Sequence, residues 1–118
     1  MFEELIALLF YSREFAHRAH LATRSHAMHV TLGEFYEEVI KLADRLSETY
    51  QGRNGTISIP FLDAQDDVGV PVDVLTTHLK LIENLRYRAV HRTDTATQSQ
   101  IDDVVNLYLS TLYKLQMR

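Results

Sequence analysis

Apolar residues recur along most of the chain at alternating steps of three and four, the spacing that lines one face of an α-helix. Met28, Leu32, Phe35, Val39, Leu42 and Leu46 form the longest such stripe, and Tyr36, Ile40 and Ala43 add a second apolar flank. Together they predict a helix from about residue 26 to 51 that needs two packing partners. Ser25 is the preferred N-cap, Thr31 with Glu34 offers a capping box six residues later, and Gly52 is a fitting end. Upstream, Leu5-Ile6-Ala7-Leu8-Leu9-Phe10 is apolar nearly all round. That predicts a first helix over about 2–23, buried on more than one side, with Glu3 and Glu4 at its start and Arg18, His20 and Arg24 near its end complementing the dipole. Leu75, Leu79, Ile82 and Ala89 mark a third helix over about 73–91, with Asp73 as N-cap. Ile101, Val105, Tyr108, Leu112 and Leu115 mark a fourth over about 98–116, opened by a Thr97/Gln100 capping box with Asp102 and Asp103 behind it.

Residues 52–71 break the pattern. Three of the four glycines and both prolines fall there, around a short apolar piece, Ile57-Ser58-Ile59-Pro60-Phe61. The two short turns force antiparallel neighbours, whereas an extended run of about 20 residues at ~3.3 Å each can travel back along a helix of ~38 Å. The expected fold is all-α: a four-helix bundle, ferritin-like, with a long connection between helices 2 and 3. An up-down-up-down bundle with a wandering loop is the other arrangement.

At 118 residues, 46% hydrophobic and 24% charged, the chain is one globular domain. It has no cysteine, which excludes disulfides and thiolate ligands. A net charge of −4 and only three lysines argue against nucleic acid as a partner. No apolar run reaches the ~18 residues of a membrane span. The start, Met1-Phe2-Glu3-Glu4, is acidic where a signal peptide needs base. A cytoplasmic protein without a membrane partner is expected.

Four of the six histidines, His17, His20, His26 and His29, crowd around the first predicted turn and so gather at one end of the bundle. Helix ends tolerate solvated histidines, but imidazole is also the commonest metal ligand. Glu14-x-x-His17 has the spacing of bundle di-iron sites, which need that motif twice with two further glutamates. It occurs once, which argues against a self-contained di-iron site. On the second helix, His29, Asp44 and Glu48 share a broad face within about 100°, yet Asp44 lies ~22 Å along the axis from His29. Two copies of this helix packed antiparallel about a two-fold axis would bring the histidine end of one to the carboxylate end of the other. The flank of Tyr36, Ile40 and Ala43 would supply the contact, so at least a homodimer is expected. Such a nitrogen and oxygen set suits Fe(II) or Zn(II).

His17, His29, Asp44 and Glu48 resemble the ligand run of the Dps-type mini-ferritins: a histidine, a second twelve residues on, an aspartate fifteen further and a glutamate four further. The stretches Ala19-His20-Leu21, Phe35-Tyr36-Glu37-Glu38 and Leu42-Ala43-Asp44-Arg45-Leu46-Ser47-Glu48 are similar to that family's first two helices, over residues 13–52. The resemblance implies iron binding between two-fold-related subunits and ferroxidase chemistry. By spacing His17 is the first ligand; by local context His20 is. Gly33 stands where the family has a further aspartate, no tryptophan is present, and the chain is short and without a basic tail. In these respects it resembles trimmed, phage-encoded Dps-like proteins.

Arg86, Arg88, His91 and Arg92 form a second constellation late in the third helix. It is either a helix C-terminus dressed with cations or an anion site. The second reading gives the alternative function: a small non-enzymatic helical oligomer that sequesters an anionic, nucleotide-like ligand in an intersubunit pocket. In a ferritin-like topology these arginines lie beside Asp44 and Glu48 and could be their salt-bridge partners. His78 reads as a packed histidine with one satisfied nitrogen; Asp63, Asp66 and Asp67 read as solvated.

Overall fold

The computed structural model describes residues 1–63 and 69–117. Four helices account for the described chain outside its turns and long connection: α1 (Phe2–Ala22), α2 (His26–Asn54), α3 (Pro71–Ala89) and α4 (Thr95–Leu115). The expected order holds, and the bounds differ for local reasons. Ser25 caps α2 by accepting from the Met28 N–H at 3.3 Å. The helix runs past Gly52 and stops at Gly55, whose φ of 87° is the left-handed backbone that favours glycine. Pro71, not Asp73, opens α3, because proline's missing N–H costs nothing in the first turn. The α4 cap is Asp94 rather than Thr97: its carboxylate accepts from the Thr97 N–H at 3.2 Å and the Thr97 hydroxyl at 2.7 Å. Asp66 and Asp67 lie outside the described residues.

The core joins all four apolar stripes. Leu5, Ile6 and Leu9 of α1, Leu32, Phe35 and Val39 of α2, Leu75 and Ile82 of α3, and Ile101 and Tyr108 of α4 are fully buried. α1 packs on α2 and α3, and α4 packs on α2 and α3, so α1 and α4 face across one diagonal and α2 and α3 across the other. Side-chain pairs set the directions. Phe2 stacks on Tyr50 at 3.7 Å, so the start of α1 meets the end of α2. Arg53 pairs with Asp94 at 3.4 Å, and Lys114 with Glu34 at 3.7 Å, so α4 runs antiparallel to α2. The α3–α4 turn then places the end of α3 beside the end of α2. The connection after Asn54 therefore has to return along the bundle, whose long dimension is 43 Å. This is the one-crossover four-helix bundle, not the up-down-up-down alternative. Among the described residues, no helix is long and apolar enough to cross a membrane.

Candidate functional site

The α1–α2 turn brings the four clustered histidines to one end of the bundle. His20 and His29 stack face to face, with ring centroids 3.7 Å apart and planes 16° from parallel. Each ring also reaches the other residue's backbone. Nδ1 of His29 donates to the His20 carbonyl at 2.8 Å, and Nδ1 of His20 donates to the His29 carbonyl. A carbonyl can only accept, so both Nδ1 atoms carry hydrogen, and in the neutral rings both Nε2 atoms carry a lone pair. The outer histidines flank this pair. His17 lies 6.3 Å from His20 and stacks on Tyr36 at 4.2 Å; His26 lies 6.5 Å from His29 and is exposed.

The flank of Tyr36, Ile40 and Ala43 is largely used inside the chain. Ala43 is fully buried, and Tyr36 is half-buried against His17 and His20. Ile40 stays half-exposed and, unlike the other two, is neither in the core nor packed against it among the described residues.

Asp44 and Glu48 sit far from the histidines of their own chain, exposed, and neither makes an ion pair among the described residues. Glu14 pairs with Arg18 at 2.9 Å and is not turned to His17. Among the described residues no three of His, Asp and Glu converge where one ion could be held.

The second constellation is rearranged. Arg86 is buried: its Nε donates to Gln98 Oε1 at 2.9 Å, and its Nη2 to the Gln98 carbonyl at 3.0 Å and to Asp102 at 2.7 Å. Gln98 answers with its amide to the Val90 carbonyl at 3.0 Å. Arg86 is thus the clamp of the α3–α4 turn, not an anion ligand, and its acidic partner is Asp102 rather than Asp44 or Glu48. Arg92 lies over the Tyr87 ring at 4.1 Å, and His91 holds Thr93 through Nδ1. Arg88 is exposed. A 220 Å³ cleft beside this turn is lined by Arg53, His91 and Asp94, so an anion entering it would meet the Asp94 carboxylate.

Sequence reasoning also missed a polar contact in the middle of the core. Ser12 of α1 and His78 of α3 are buried and hydrogen-bonded at 2.7 Å, next to Tyr108 of α4. His78 is packed with a satisfied nitrogen, as its flank position suggested; Ser12 had no signal beyond a polar residue inside an apolar stripe.

Residues 20–115 match the model of a family described as Family of unknown function (DUF5856). No curated protein and no solved structure matches the chain.

Proposed function

The chain belongs to DUF5856, and we propose from its histidine end that it is a ferritin-like homo-oligomer that binds Fe(II) or Zn(II) between copies. The observation that carries this reading is the reciprocal pair of Nδ1 hydrogen bonds at His20 and His29. A metal-ligating imidazole almost always donates its other ring N–H to a carbonyl or carboxylate, which fixes the tautomer and aims the lone pair. Two rings here carry that arrangement.

Among the described residues of one chain no carboxylates join these imidazoles in a group that could hold an ion, so a complete shell needs a second copy. Asp44 and Glu48, exposed and without ion-pair partners among the described residues, are the carboxylates an antiparallel α2 pair would deliver to His29 and to His17 or His20. Mixed nitrogen and oxygen donors suit Fe(II) and Zn(II). An open coordination position would allow iron oxidation; a closed shell would make the ion structural.

Complementation between copies tests the proposal. His29→Ala and Asp44→Ala should each lose stoichiometric uptake in calorimetric titrations with Zn(II), or with Fe(II) under anaerobic conditions. Co-expressed, they should regain it in part, because each mixed dimer contains one site with both ligand sets intact. A monomer without stoichiometric uptake, or two variants that bind as the wild type does, would sink the reading.

A further inference from the structure

Four potential ligands lie on α2 itself. At 100° per residue, His26, His29, Asp44 and Glu48 fall within about 100° around the axis, and His26 and Asp44, five turns apart, share one azimuth. The outward side of that face is exposed at His26, Asp44 and Glu48. In an antiparallel α2 pair, the register that sets His29 level with Asp44 of a second copy leaves His26 within one residue, ~1.5 Å, of its Glu48. A histidine pair thus meets a carboxylate pair twice across one two-fold axis, and nothing from α1 is needed.

The α1 histidines are placed for a different task. An imidazole lone pair lies in its ring plane. The His20 and His29 planes are 16° from parallel at 3.7 Å, and both rings are pinned by hydrogen bonds. Planes so disposed do not meet within the ~2.1 Å reach of a metal–nitrogen bond, so the two rings do not serve one ion. His17 lies flat on Tyr36, 18° from parallel. His26 is exposed and makes no side-chain hydrogen bond among the described residues, so its ring can turn. Its ring centre, 6.5 Å from that of His29, needs to close by only about 1 Å for both Nε2 atoms to reach one ion at ~2.1 Å.

We infer that each site is made by His26 and His29 of one copy with Asp44 and Glu48 of another, that His20 is a positioning residue that holds His29, and that His17 lies outside the shell. This rests on the metal-binding reading above and names its nitrogen ligands. Zn(II) calorimetry on the full-length oligomer separates the possibilities. His26→Ala should weaken binding by more than the roughly 10–100-fold that loss of an outer partner costs, while His17→Ala should change it by less than about 10-fold. Because His26 is exposed at the first position of α2, its removal leaves the core intact, as a thermal melt of the variant would register. If His17→Ala abolishes binding and His26→Ala does not, α1 supplies the ligand and the inference falls while the metal-binding reading stands. If the wild type takes up no Zn(II), both fall.

Discussion

The ring of His20 fills the space that a side chain at position 33 would need: a Cβ on Gly33 would stand 2.9 Å from its Cε1 and 3.1 Å from its Nδ1. Gly33 is therefore what lets α1 and α2 approach closely enough for His20 to stack on His29. In a helix interior glycine costs about 1 kcal/mol relative to alanine, so this approach carries an energetic cost that the stack and its two hydrogen bonds offset.

A sign reversal follows. In the wild-type background Gly33→Ala should lower stability by about 1 kcal/mol. It gains ~1 kcal/mol of helix propensity but forces the His20 ring out of its hydrogen bond to the His29 carbonyl, worth about 0.5–1.5 kcal/mol, and out of the stack, worth about as much again. In a His20→Ala background the same change should raise stability by about 1 kcal/mol. Urea unfolding of the four proteins gives the cycle. Equal effects in both backgrounds would show that Gly33 does not make room for His20.

The α3–α4 clamp gives a second test. Arg86→Ala should cost about 2–4 kcal/mol, since it leaves the Gln98 side-chain and backbone oxygens without their donor in a buried site. Arg86→Lys should recover little, because an ammonium cannot reproduce the fork that reaches Gln98 and Asp102 together. If Arg86→Ala unfolds at the wild-type urea midpoint, the clamp contributes nothing.

These contacts show which parts of the molecule the sequence could reveal. The α2 stripe from Leu32 to Leu46 was legible because periodicity alone decides which face is buried, and Ser25 was legible because a cap acts within three residues. Asp94 was not, since Thr97 has the right chemistry for an N-cap and only its hydroxyl's bond to Asp94 shows it to be the third helical residue. The burial of Arg86 depends on Gln98 and Asp102, which become its neighbours only when α3 and α4 pair. At the histidine end, clustering was visible, but the stack was not. Gly33 read as a missing aspartate, when its spatial role is to admit a ring from another helix.

Acid should act through Asp94. Burial pushes its carboxyl pKa up, but the Thr97 hydroxyl, the Thr97 N–H and the Arg53 guanidinium outweigh that and hold it below the ordinary carboxylate value. A carboxyl whose pKa is lower in the folded chain adds stability above its unfolded value, about 3.9, and that contribution is lost as pH falls through the folded value. Asp94→Asn keeps a good N-cap and should flatten this part of the pH dependence while changing stability at pH 7 by about 1 kcal/mol or less. Parallel pH profiles for the two proteins below pH 4 would assign the acid sensitivity elsewhere.

The last test concerns the middle of the core, where Ser12, His78 and Tyr108 come together from three helices. Ser12 and His78 are bonded at 2.7 Å, whereas the Tyr108 hydroxyl, fully buried beside Ser12, makes no hydrogen bond of acceptable geometry among the described residues. Burial pushes its pKa well above the ordinary tyrosine value, and the neighbouring Ser12 hydroxyl offsets this only in part. The two polar changes should therefore have opposite signs. Tyr108→Phe removes a desolvated hydroxyl and keeps the ring's edge contact with Phe35, so it should be neutral or stabilise by up to about 1 kcal/mol. Ser12→Ala breaks the bond to His78 in a buried site and should cost about 1–3 kcal/mol. Thermal melts of both variants at pH 7 decide it. A large loss from Tyr108→Phe would mean that the hydroxyl is held by Ser12 after all, and that the three side chains form one continuous hydrogen-bonded chain across the bundle.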